Sequence, residues 1–167
     1  MSNILDFDFS VDKEKNTITV KREFAADLPL VWDAFTTKEI LDQWWAPKPW
    51  KAQTKSMDFK EGGRRLYAMV GPQGEEHWAI FDYKKIEKQK MFSGLDGFTD
   101  SNGVMNPQMP RSHWEVRFTD KKDLTLVEMV ITYDDLAQLE AFINMGFKEG
   151  FTIALQGLVE LLPSLKK

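Results

Sequence analysis

Near its C-terminal end the chain carries a helical pattern that limits what the rest can be. From Asp135 to Leu162 the segment DLAQLEAFINMGFKEGFTIALQGLVELL repeats apolar residues at helical spacing. Gly146, Gly150, Ala154 and Gly157 follow in steps of four, four and three, so they stack along one helix face. Glycine inside a helix costs roughly 1 kcal/mol relative to alanine. Three in one seam imply that something approaches closely there, either a sheet or a small molecule. Phe147, Phe151 and Leu158 flank the seam. A helix of about 28 residues spans roughly 40 Å, enough to cross a whole sheet. The pattern predicts a lid over a curved sheet, with space beneath the glycines.

The rest of the chain supplies that sheet. Residues 1–16 read as a loosely attached lead-in, and 17–167 as one domain. TITVKREF (17–24) alternates as a strand, with Ile18, Val20, Arg22 and Phe24 on one side. Asp27 can cap a helix starting near Pro29 that buries Val31, Trp32 and Phe35, and Thr37 can cap a second short helix, KEILDQWW. Two short helices do not suit a βαβ crossover. Strands are then expected at 54–59, 64–70, 75–86, 90–95, 113–119 and 124–133, joined by turns at Glu61-Gly62-Gly63, Gly71-Pro72-Gln73-Gly74 and Asp120–Asp123. Residues 97–111 read as a long irregular loop. The order predicts an α+β domain, a curved antiparallel sheet around one long C-terminal helix.

Composition excludes several functions. The net charge is −4, and no Lys/Arg cluster interleaved with aromatics suggests nucleic acid or an anionic membrane. There is no cysteine, hence no disulfide or thiol chemistry, which fits a cytoplasmic setting. MSNILDFDFSVDKE lacks the basic start of a signal peptide, and no apolar run is long enough to insert into a membrane. With two histidines and no HExxH, a catalytic zinc is not expected, and no cofactor motif occurs. Asp96, Asp100 and Asn102-Gly103 resemble part of a calcium loop, but Phe98 and Met109 fall at its first and last ligand positions, so the segment reads as a turn. Aromatics make up 13% of the chain, which suits a large core or a pocket for flat, greasy molecules.

Several residues could line such a pocket. On strand 75–86, His77 shares a face with Ala79, Phe81 and Tyr83 that carries no charge, and this face is expected inward. His77 is then either a partly buried structural histidine or the polar anchor of a ligand. His113 is expected to face water. Arg65 shares a face with Tyr67 and Met69, and is either an anion anchor or a rim arginine paired with a surface acid. Of Trp44 and Trp45, one ring is expected in the core. The other lies on the surface beside Trp50 or gates a cavity.

Four segments together, VKREFAADLPLVWDAFTTKEILDQWWAP, DFKEGGRRLYAMVGPQGEEHW, LDGFTDSNG and MGFKEGFTIALQGLVELL, resemble the Activator of Hsp90 ATPase homologue 1-like family, of the START / Bet v 1-like superfamily. The resemblance covers about residues 17–162. It implies the helix-grip fold, with a cavity between sheet and C-terminal helix that typically binds hydrophobic or amphipathic molecules. Phe81 stands where relatives often carry glycine, which implies a smaller cavity. The expected ligand-binding set is Arg65, Tyr67, Met69, His77, Phe81, Tyr83, Trp114, Met129, Gly146, Phe147, Gly150 and Phe151. The expected function is binding of a hydrophobic or aromatic small molecule, without established catalysis. The alternatives are an interaction module for an Hsp90-type chaperone or stress response, using Trp45, Trp50 and the 97–111 loop, and a hydrolase or cyclase built on His77.

Overall fold

Alternation in the second strand positions one wall of the core. In the computed structural model, which describes residues 7–109 and 111–166, β1 (Phe7–Asp12) pairs with β2 (Thr17–Phe24), and β2 with the last strand, β8 (Thr125–Thr132). Ile18 faces Ile131 and Val20 faces Met129 across this pairing, and all four are fully buried. The lead-in therefore needs correction. Its residues 7–12 are an edge strand, held by backbone bonds that periodicity did not reveal, while residues 1–6 lie outside the described ones.

Asp27 caps α1 (Leu28–Thr36) as expected, its carboxylate accepting from the Leu30 N–H at 3.2 Å. Thr37 is extended, which ends α1 and starts α2 (Lys38–Trp44), though without a side-chain cap bond. β3 (Lys51–Met57), β4 (Arg64–Val70), β5 (Glu76–Glu87), β6 (Met91–Thr99) and β7 (His113–Asp120) complete one antiparallel sheet in the order β1-β2-β8-β7-β6-β5-β4-β3. β6 runs four residues beyond its expected end at Leu95, since Asp96, Gly97, Phe98 and Thr99 continue the ladder with β5.

The segment after β6 folds back over the outer face of the sheet. Met105 bridges to Thr99, and its methyl occupies the space that a side chain at Gly97 would need. Asp100 accepts from the N–H groups of Asn102 and Val104, and Gly103 sits at φ +82°, so this is a turn and not a cation loop.

The terminal helix is not continuous. α3 (Leu136–Asn144) and α4 (Phe147–Leu165) are separated at Met145-Gly146, where Gly146 has φ +90°. That backbone conformation is one an L side chain rarely adopts, so glycine here ends one helix and redirects the chain. Helical spacing continues across the break, which is why the pattern reads as a single rod. α4 buries Phe151, Ala154, Leu155, Leu158 and Leu162 against the inner face of the sheet. No helix among the described residues is long and apolar enough to cross a membrane.

Candidate functional site

The inner face of β4–β7 supplies the floor of a cavity. Register sets Met69 beside His77, Tyr67 beside Ala79, Ala79 beside Phe98, and Phe81 beside Asp96. The roof is the α3–α4 junction, with Phe142, Met145, Gly146, Phe147 and, one turn on, Gly150 and Phe151. Trp45 and Pro47, just after α2, form the side wall. The space between them, open to solvent at one side, is about 320 Å³, at the lower end of the range for small-molecule sites.

The lining is mostly apolar and rich in aromatic rings. Phe147 and Phe151 stack at 5.3 Å, Trp114 meets Phe151 edge-on at 5.7 Å, and Phe98 stacks on Phe142 at 5.8 Å. Three polar groups interrupt it. The Tyr67 hydroxyl accepts from Trp45 Nε1 at 3.0 Å. His77 stands exposed at the mouth, its ring 5.3 Å from that of Trp50. The third group is the carboxylate of Asp96. Its Oδ1 accepts from the Ser112 N–H (2.8 Å) and hydroxyl (2.6 Å), and its Oδ2 from Trp114 Nε1 (3.1 Å).

Burial raises the Asp96 carboxyl above its ordinary value, against the hydrogen bonds from Ser112 and Trp114 and the charge of Arg111. Burial likewise raises the Tyr67 phenol, opposed by the Arg65 charge and the bond from Trp45, so it stays protonated at neutral pH.

A second, smaller space of about 40 Å³ lies deeper, lined by Arg65, Phe81, Tyr83 and Met129, with Tyr67, Trp45, Trp114 and Asp96 shared between the two. The twelve expected site residues thus divide. Tyr67, Met69, His77, Trp114, Gly146, Phe147, Gly150 and Phe151 meet at the main cavity. Arg65, Phe81, Tyr83 and Met129 reach only the inner space.

Phe81 fills what would otherwise be continuous volume. Gly94 on β6, opposite Tyr83 and diagonal to Phe81, leaves room for the ring, and a side chain there would meet Phe81 Cε1 at 2.5 Å. Arg65 already has a partner. Its Nη2 donates to Asp42 at 3.4 Å and its Nε to Thr54 Oγ1 at 3.2 Å, while its guanidinium lies 4.0 Å over the Tyr67 ring. With its charge answered inside the fold, it ties α2 to β3 and β4 and leaves little to attract an anion.

The glycine seam also needs correction. Gly146 and Gly150 border the cavity, but Gly157 opens on a separate groove beside Trp44, Trp50 and Ile153. Two turns beyond Gly150, the same helix face has passed the cavity and looks toward the α2–β3 connection. At Gly150 a methyl would sit 3.7 Å from Pro47, an ordinary contact, so close approach of that connection does not by itself require glycine here.

Trp44 is the core ring, its Nε1 bonded to the Ala34 carbonyl at 2.9 Å, whereas Trp45 is turned inward as a cavity wall. The most informative residue that sequence reasoning missed is Asp96. Ending the strand at Leu95 hid the alternation Phe92, Gly94, Asp96, Phe98, which puts all four on one face. No group of three or more His, Cys, Asp or Glu side chains that could hold a metal occurs among the described residues.

Comparisons with known proteins agree with this architecture. The family model "Activator of Hsp90 ATPase homolog 1-like protein" matches residues 25–163. The crystal structure of protein Ms6760 from Mycobacterium smegmatis is 30% identical, with a TM-score of 0.86 over 95% of this chain and 97% of that one. The solution structure of a protein from Arthrobacter aurescens is 25% identical, with a TM-score of 0.89 over 94% and 91%. One from Staphylococcus epidermidis is 28% identical, with a TM-score of 0.82 over 95% and 96%. No curated protein matches the chain.

Proposed function

The chain belongs to the Activator of Hsp90 ATPase homolog 1-like family, and from that membership and its cavity we propose that it binds a small, largely hydrophobic molecule between sheet and terminal helices. The observation that carries this reading is the space of about 320 Å³ itself, walled by Trp45, Trp114, Phe147 and Phe151. Transfer of apolar ligand area from water supplies roughly 25 cal/mol per Å² before the costs of association. The mouth, marked by the exposed His77 and Met145, offers an entry path.

Trp45 and Trp114 provide the readout. Titration with a panel of aromatic and short-chain amphipathic compounds is expected to change tryptophan fluorescence saturably and to give one-to-one complexes in native mass spectrometry. Gly150→Leu, which directs an isobutyl group toward the Pro47 wall and the cavity, is expected to weaken binding at least tenfold. A panel without a single binder would overturn the reading.

Family membership supports a second reading, action on an Hsp90-type chaperone. The inward turn of Trp45 removes part of the surface expected for it. An unchanged chaperone ATPase rate on addition of the full chain would dismiss that alternative.

A further inference from the structure

The polar group inside the cavity carries the wrong charge for the guest usually expected of a greasy pocket. Asp96 points inward from β6 on the face of Gly94 and Phe98, and its carboxylate lines the cavity. A carboxylate offers about four lone-pair sites. Three are used, two on Oδ1 by Ser112 and one on Oδ2 by Trp114, and all three donors are neutral.

No cation closes on this carboxylate among the described residues. Arg111 donates through Nε to the Asp96 main-chain oxygen (2.9 Å) and through Nη2 to Asp82 (2.8 Å). Arg65 is engaged with Asp42 and Thr54 behind the Tyr67 ring. One acceptor position on Oδ2 is therefore left, and Asp96 borders the same space as the π systems of Trp45, Trp114, Phe147 and Phe151. Such rings attract cations, and a carboxylate among them attracts cations more strongly. An anionic head such as a fatty-acid carboxylate would meet a like charge, and a neutral apolar guest would leave the Asp96 carboxylate facing hydrocarbon.

We propose that the cavity selects a compact, ring-bearing molecule with a protonated amine, its ammonium donating to Asp96 Oδ2 and its apolar body lying against Phe147 and Phe151. This rests on the small-molecule reading above and adds the class of guest. The volume sets the size, enough for an arylalkylamine and too little for a long-chain lipid.

The raised Asp96 carboxyl gives the proposal a pH signature. Amine affinity rises with pH as this carboxyl ionises and falls again once the amine loses its own proton. The other groups around it are Tyr67 and Tyr133, both raised above the ordinary phenol value by burial, the committed arginines Arg65 and Arg111, and His77 at the mouth. Binding an amine draws the Asp96 carboxyl back down.

The test uses the full chain and three probes that differ in one group, tryptamine, 3-propylindole and indole-3-propionate, measured by calorimetry. Tryptamine is expected to bind at least roughly tenfold more tightly than 3-propylindole, with indole-3-propionate weakest. Asp96→Asn should erase the preference, while Gly157→Ala, on α4 away from the cavity, should keep it. Should Asp96→Asn fail to fold, the carboxyl carbon of Asp96 can be followed by NMR in the unaltered protein, where saturating tryptamine must lower its titration midpoint. If 3-propylindole or the acid binds as tightly as the amine, or the midpoint does not fall, the proposal is overturned and the cavity reading stands. If none of the three binds, the proposal is overturned, and the wider aromatic and amphipathic panel decides whether the cavity reading falls with it.

Discussion

Two arginines on one strand show how position decides what a charged residue does. Arg64 and Arg65 are neighbours on β4 and face opposite ways. Arg64 lies outside and grips Asp82 through two bonds, at 2.6 and 3.2 Å, while Arg111 adds a third at 2.8 Å. Burial alone would raise the Asp82 carboxyl, but these hydrogen bonds and charges outweigh it and hold it below its ordinary value. A depressed folded value means stability that is present above the unfolded value and lost as pH falls toward and through the folded one. Asp82→Asn is therefore expected to flatten the acid limb of a stability–pH curve measured by urea unfolding, with the difference vanishing at low pH. Arg65 lies inside, its side chain only 4% exposed against Asp42. Removal of its partner leaves a buried cation unanswered, so Asp42→Ala should cost about 3 kcal/mol, read as a lower urea midpoint. Asp42→Asn, which keeps an oxygen acceptor, should cost less.

At the scale of the element, the glycines of the terminal helices have different duties despite their common spacing. Gly146 is required by its backbone, since it sits at φ +90° between α3 and α4 and a methyl there would meet nothing within 4 Å. Gly146→Ala should lower stability by roughly 1–2 kcal/mol through backbone strain alone. Gly157 lies inside α4 with ordinary helical geometry and equally open surroundings. Gly157→Ala should raise stability by about 1 kcal/mol, and since that position is away from the cavity, ligand affinity should not change. Thermal melts of the two variants should therefore shift in opposite directions.

For the whole molecule, the decisive feature is how the interior is divided. Phe81 meets Tyr83 at 5.1 Å, Phe92 at 5.9 Å and Trp114 at 6.5 Å, and with Trp45 and Tyr67 it separates the inner space from the cavity. Phe81→Ala should open one larger chamber. The cost is about 3–5 kcal/mol, from lost burial and the void left behind, measurable by denaturant unfolding. The compensating gain is acceptance of bulkier guests in the probe panel.

Strand and cap positions were readable from local chemistry. Alternation located β2, β4, β5, β7 and β8, the Asp27-Pro29 pair located α1, and the uncharged face of β5 pointed Ala79 and Tyr83 inward. These depend on periods of two or 3.6 residues and on single caps, which need no knowledge of distant chain. Several other features were settled only by the assembled fold: β1 as an edge strand, the break at Gly146, the partner of Arg65, the partition at Phe81 and the polar centre at Asp96. Each depends on which residues from separate strands and helices come within a few ångströms, and that is set by sheet register and helix docking. A period tells which way a side chain points, and only the packed structure tells what it meets there.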